Sequence, residues 1–181
     1  LGILCYGLGI RIASLFNEKA KLWIKGRKNI FTIIEKALAN NTSPLAWFHS
    51  SSLGEFEQCR PVIDSFKEQY PEYKIFVTFF SPSGYEIRKN YPKADYVFYL
   101  PLDTIANAKR FIKIVNPQKA FFVKYDFVVF NTLRAVVRLV SAYRKIHIAI
   151  GKIADIVFNV YLFAAISRCR LDYRADSFCD L

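Results

Sequence analysis

Between residues 45 and 129 short apolar runs alternate with amphipathic stretches, and this alternation restricts the fold more than any other feature. Leu45–Ser50, Lys74–Phe80, Tyr96–Leu100 and Lys119–Val129 read as strands. Glu55–Tyr70, Tyr85–Asn90 and Thr104–Val115 read as helices. In the first helix Phe56, Cys59, Ile63, Phe66 and Tyr70 recur at three- and four-residue steps, and Pro61 inside it predicts a kink or a late start. The helix over 104–115 is expected to end at Asn116-Pro117. Strands and helices in this order predict right-handed βαβ units and a parallel sheet. In such sheets ligands bind beyond the carboxyl ends of the strands, which places the turns at Ser50–Glu55, Ser81–Gly84 and Pro101–Asp103 along one rim.

The totals agree with a folded domain. At 181 residues, with 53% hydrophobic content, 17 Phe and 11 Tyr, the chain can bury a core and has no disordered character. Cys5, Cys59, Cys169 and Cys179 are far apart without a C-x-x-C pair, and there are two histidines, so neither a zinc site nor a disulfide framework is expected. No metal site and no cofactor are expected. The charge of +11 is uneven: residues 1–40 hold seven cations against two acids, 41–130 eleven against nine, and 131–181 eight against four. A nucleic-acid reader would concentrate cations on its folded surface, so direct nucleic-acid binding is not expected.

The amino-terminal stretch "LGILCYGLGIRIASLF" is apolar but broken by Arg11, and shorter than the roughly 20 residues that span a bilayer. Lys19, Lys21, Lys25, Arg27 and Lys28 follow, with Trp23 among them. An apolar face followed by cations and a Trp fits an interfacial membrane anchor, and a helix packed on its own domain fits as well. The break "ALANNTSP" at 37–44 divides a basic, apolar arm (1–40) from an α/β domain (41–130), with a tail over 131–181.

"WFHSSSLGEFEQCRP" (47–61) holds the sharpest chemistry. Ser50, Ser51, Ser52 and Gly54 lead into a helix whose first N–H groups lack intrahelical partners and favour negative charge, which Glu55 supplies. A helix-capping acid and a catalytic base both fit Glu55. His49 fits a core position better than a catalytic one, the "SPSG" turn an ordinary turn, and Asp103 the N-cap of the next helix.

"WFHSSSLGEFEQCRPVIDSFKEQYP", "KIFVTFFSPSGYEI", "YLPLD" and "NPQKAFFVKYDF" together resemble the amino-terminal half of the 3-deoxy-D-manno-octulosonic acid (Kdo) transferases of bacterial lipopolysaccharide synthesis. The resemblance covers about residues 45–127 and implies the Rossmann-like, acceptor-side domain of a GT-B glycosyltransferase, with an arm that anchors it to the cytoplasmic face of the inner membrane. It implies transfer of Kdo from CMP-Kdo to a lipid A precursor with inversion, and Glu55 as general base in the family's Ser-x-Gly-Glu turn. Ser52 and Gly54 would shape that turn. Ser83 and Gly84, in a Thr-Pro-Thr-Gly-like turn, would touch the acceptor. Asp126 takes the position of a second family acid, one methylene shorter, with Lys124 where many members have an acid and Val128 in place of an aromatic.

Beyond Phe130 the resemblance fades, and 131–181 reads as a divergent or truncated tail. Within it "VSAYRK" echoes a family strand end, and "IGKIADIVFNVYLFAAI" reads as a buried helix. CMP-Kdo would be held by a carboxyl-terminal domain outside this sequence, so the chain alone is expected to be inactive. The alternative function is a non-catalytic, membrane-associated binding module on the same scaffold.

Overall fold

The computed structural model describes residues 2–123 and 147–151. Four strands form where the apolar runs predict them: β1 (Leu45–Ser50), β2 (Lys74–Phe79), β3 (Tyr96–Tyr99) and β4 (Lys119–Val123). A fifth, β5 (His147–Gly151), was not foreseen. It carries the first two residues of the run read as a buried helix; the rest of that run lies outside the described residues. The order β3-β2-β1-β4-β5 makes β1 the middle strand, and every neighbouring pair is parallel. This is an α/β, Rossmann-like sheet with helices on both faces, as the alternation predicts.

Strand alternation builds two cores. Leu45 and Trp47 of β1 join Phe76, Ala120 and Phe122 beneath α3 (Ile30–Leu38) and α6 (Ile105–Val115). Trp47 meets Phe111 and Phe122 edge-on, each at 5.0 Å between ring centres. Ala46 and Phe48 face the other way, with Ile75, Val77 and Phe79, beneath α4 (Leu53–Gln69). There α4 buries Phe56, Cys59, Ile63 and Phe66, the expected stripe less Tyr70. Burying each large apolar side chain contributes about 1.5–3 kcal/mol, so Phe56, Ile63 and Phe66 together outweigh the roughly 3 kcal/mol cost of a proline inside a helix.

That excess explains one departure from expectation. Helix α4 begins at Leu53, two residues early, and runs through Pro61 for 17 residues. Proline removes one intrahelical hydrogen bond, but the flanking buried residues and the Glu57–Arg60 and Glu57–Arg88 ion pairs hold the helix across it. The "SPSG" stretch also differs from its reading as a turn. Ser81 is the N-cap of α5 (Pro82–Arg88), and Pro82, with its preset φ, occupies the first helical turn, so Ser83 and Gly84 are helical. The next N-cap is Thr104 rather than Asp103: its hydroxyl accepts the Asn107 N–H at 3.2 Å, while Asp103 lies buried just before it. Helix α6 ends as expected, at Asn116 in the left-handed conformation that asparagine tolerates.

Residues 1–40 contain three helices in different environments: α1 (Gly2–Ala13), α2 (Glu18–Lys25) and α3. Ile30 and Ile34 of α3 belong to the core under β1. Trp23 of α2 is buried against Phe80, at the carboxyl end of β2. Of α1, Tyr6 packs on Trp23 and Phe80, while Leu8 and Ile12 are exposed. Among the described residues no helix is long and apolar enough to cross a membrane.

Candidate active site

The carboxyl ends of β1 and β2 are locked side by side. The Phe80 N–H donates to the Ser50 carbonyl at 3.4 Å and the Ser81 N–H to the Ser51 carbonyl at 2.9 Å, extending the β1–β2 ladder into the turns. The Leu100 N–H reaches the Phe79 carbonyl at 2.8 Å, which brings the third turn into line. The three turns therefore do share one rim.

Glu55 stands at its centre, half-buried in the first turn of α4. Its Oε2 accepts the Ser51 N–H at 2.6 Å, and its own N–H points to Ser52 Oγ at 3.5 Å. This is a capping box shifted by one residue: Ser52 caps the helix, and the acid reaches back past it. The capping reading of Glu55 is the one this geometry shows. The cap fixes one carboxylate oxygen through a main-chain group, and a carboxylate so held keeps a fixed direction.

Gly54 precedes it, exposed, with no atom within 4 Å of where a Cβ would lie. Its φ is not positive, so neither backbone nor packing requires glycine there. Open space beside the carboxylate is what a substrate would use. Gly84 has a different cause. It is buried, and a Cβ there would run into the ring of Phe79, so the glycine lets α5 close on β2. Ser83 is on the rim, with its hydroxyl 2.8 Å from that of Ser81. Ser52, Gly54, Glu55, Ser83 and Gly84 are thus gathered on one edge. Asp126, together with Lys124 and Val128, lies outside the described residues.

His49 is a core residue: it is fully buried, with Nδ1 2.7 Å from the Thr78 hydroxyl, which also accepts the Trp47 indole N–H at 2.8 Å. Burial pushes the Cys59 thiol up to about 12, which makes it an inert core group. Among the described residues no cluster of His, Cys, Asp or Glu could hold a metal ion.

Sequence reasoning missed Arg27, which it grouped with the surface cations of the arm. The Arg27 side chain is instead half-buried, with all three guanidinium nitrogens turned to main-chain carbonyls. Nη2 donates to the Phe80 carbonyl at 2.6 Å, Nε to Leu100 at 2.8 Å and Nη1 to Trp23 at 3.1 Å. Its carbon lies 3.8 Å from the centre of the Trp23 ring and 4.9 Å from that of Tyr99. Burial lowers its pKa to about 9, which leaves it charged at neutral pH. The available signal was the Trp23–Arg27 pair, one helical turn apart, next to Gly26, which closely approaches the Tyr99 ring.

A family model described as 3-deoxy-D-manno-octulosonic-acid transferase (kdotransferase) matches residues 25–140, well over half of the chain. The chain belongs to the Kdo transferase family. Relatives carrying the name 3-deoxy-D-manno-octulosonic acid transferase include one from Chlamydia muridarum, 30% identical over 95 residues, covering 51% of this chain and 22% of the relative. One from Aquifex aeolicus is 32% identical over 117 residues, covering 61% and 31%, and one from Haemophilus influenzae 32% over 73 residues, covering 40% and 17%. The chain spans less than a third of the length of these curated relatives. The family match begins at Lys25, within the arm, and continues past Phe130, where the resemblance in sequence fades.

Proposed function

We propose that this chain is the acceptor-side domain of a glycosyltransferase that moves Kdo from CMP-Kdo to a hydroxyl of a lipid A precursor, at the cytoplasmic face of the bacterial inner membrane. The observation that carries the reading is Glu55: a carboxylate on a sheet rim, aimed by the Ser51 N–H at 2.6 Å, beside open space at Gly54. In the step proposed, Glu55 takes the proton of the acceptor hydroxyl. The oxygen forms a bond to the anomeric carbon of Kdo while the bond from that carbon to the CMP phosphate breaks. CMP leaves with the electron pair, and the configuration inverts. Ser52 and Gly54 keep the turn open, and Ser83 offers a hydroxyl to the acceptor. CMP-Kdo is presented by a further domain of the whole protein, and no cofactor is called for.

The arm supports the membrane side of this reading. Exposed Leu8, Ile12, Leu15 and Phe16 lie near exposed Arg11, Lys19 and Lys21, a combination suited to an interface with anionic lipid.

The test is Glu55→Gln in the protein extended through its donor-binding domain, assayed for transfer from CMP-Kdo to a lipid A precursor. Glutamine still accepts the Ser51 N–H, so the cap and the fold persist. The expected result is a kcat lowered by about 10²–10⁴-fold with little change in KM for the acceptor. Equal rates would remove Glu55 from the chemistry and favour a non-catalytic binding module.

A further inference from the structure

We propose that Arg27 is a positioning residue: it joins a lipid-facing hairpin, α1–α2, rigidly to the rim that bears Glu55, so that docking on an anionic lipid surface sets the height of that carboxylate above it. The inference deepens the acceptor reading above and rests on it for the role of Glu55.

The hairpin exposes apolar side chains at helical spacing. Leu8, Ile12 and Leu15 recur at four- and three-residue steps and are 59%, 59% and 68% exposed, and Phe16 at the corner is 88% exposed. One exposed leucine is ordinary on a protein surface, but a stripe ending in a bare phenylalanine is a contact surface. The helical hydrogen bonding continues through this corner, with the Phe16 and Asn17 N–H groups both reaching the Ala13 carbonyl, and Asn17 then caps α2. Exposed Arg11, Lys19, Lys21, Lys25 and Lys28 accompany the stripe. Apolar side chains that enter the acyl boundary, with cations at headgroup level, match a lipid surface carrying negative charge.

The attachment of this hairpin is unlike a tether. Arg27 faces inward, sandwiched by Trp23, Phe80 and Tyr99, while Tyr6 of α1 packs against the same Trp23 and Phe80. From the guanidinium a short relay of polar contacts runs to the candidate base. Arg27 holds the Phe80 carbonyl, the Phe80 and Ser81 amides hold the Ser50 and Ser51 carbonyls, and the Ser51 amide holds Glu55 Oε2. Every link except the two ends is main chain. Swinging the hairpin away would strand the Phe80 and Leu100 carbonyls, both on buried residues, a penalty larger than that of moving a surface loop. Hairpin and rim therefore move as one body, and a lipid surface that orders one orders the other.

Hydrogen exchange of the 181-residue chain tests this, with and without vesicles of phosphatidylglycerol and phosphatidylcholine. On vesicle binding, exchange of the Ser51, Phe80 and Ser81 amides is expected to slow about as much as that of the hairpin, at least roughly threefold. Arg27→Gln is expected to bind vesicles within about twofold of the parent yet protect the hairpin alone. Arg27→Lys, which keeps the charge but reaches fewer carbonyls, gives the same readout if the glutamine variant does not fold. Replacing Leu15 and Phe16 together by serine, at exposed positions that leave folding intact, should weaken partitioning about tenfold or more. Rim amides indifferent to vesicles in the parent chain would overturn the proposal. So would rim protection undiminished in the Arg27 variants, or vesicle binding undiminished in the serine variant. Transfer to a detergent-dispersed acceptor is read separately, in the protein extended through its donor-binding domain, so an absence of coupling with Glu55-dependent transfer intact sinks this inference alone.

Discussion

Two glycines on the rim look alike in sequence and differ in physical cause, which makes them a sensitive pair. At Gly84 a Cβ would meet the Phe79 ring, and Phe79 is fully buried and cannot step aside. Gly84→Ala is therefore expected to destabilise the fold by about 1–3 kcal/mol, the usual cost of overpacking a core, seen as a lower urea midpoint. At Gly54 nothing stands within 4 Å, and alanine is the better helix former by up to about 1 kcal/mol. Gly54→Ala should leave stability unchanged or raise it, while lowering transfer in the protein with its donor domain. A loss of stability at Gly54 with activity kept would mean that the space beside Glu55 is not used. The glycines themselves were legible in the sequence, but their distinction was not, because it depends on which neighbour closes over each one. Arg27 shows the same limit: five arm cations look equivalent until packing takes one inside.

The helices and strands were read from apolar spacing, and the errors fall where side chains outweigh local signals. Pro61 predicts a kink or a late start, yet the buried stripe of α4 carries the helix across it. Asp103 suits an N-cap as well as Thr104 does, and only burial decides between them. The strand β5 escaped because its short run, HIAIG, merges into a longer apolar stretch whose period favours a helix. The join between β2 and β3 depends on an acid that no motif marked. Asp95 accepts from Lys74 at 2.8 Å, from the Ile75 N–H at 2.8 Å and from Lys67 at 3.3 Å. Burial pushes its pKa up, but the Lys74 and Ile75 hydrogen bonds and the charge of Lys67 together hold it below the ordinary carboxylate value. A depressed pKa in the folded chain means a stabilisation that is complete above the unfolded value of about 3.9 and is lost as pH falls through the folded one. Asp95→Asn should cost about 1 kcal/mol at pH 7, allowing for solvent screening of this partly exposed group. The gap between variant and parent in urea midpoint should close below about pH 4. A gap independent of pH would assign the role of Asp95 to packing rather than charge.

Among the described residues, excess positive charge and exposed large apolar side chains are concentrated in the amino-terminal arm. Residues 1–40 carry seven cations against two acids, whereas 41–130 are nearly balanced at eleven against nine. Much of the balance in the latter is spent internally, in ion pairs such as Arg88–Glu57, Lys93–Asp64 and Lys74–Asp95. The arm spends less, since Lys21 pairs with Glu18 while Lys19, Lys25 and Lys28 stay exposed. Each cation near an anionic surface contributes about 1 kcal/mol, so three of them contribute about 3 kcal/mol, or roughly 100-fold in partitioning. The screening length shrinks from about 10 Å at 0.1 M salt to about 3 Å at 1 M, while insertion of Leu15 and Phe16 is nearly indifferent to salt. Partitioning of the chain onto phosphatidylglycerol vesicles should therefore fall by roughly 100-fold over that range and level off at an apolar residue of binding rather than vanish. Flotation at several salt concentrations measures both parts. A flat profile would leave the cations without a role, and a fall to zero would leave the apolar stripe without one. Oligonucleotides of matched charge should bind far more weakly than the vesicles, because they offer the cations a partner but give Leu8, Ile12, Leu15 and Phe16 nowhere to go.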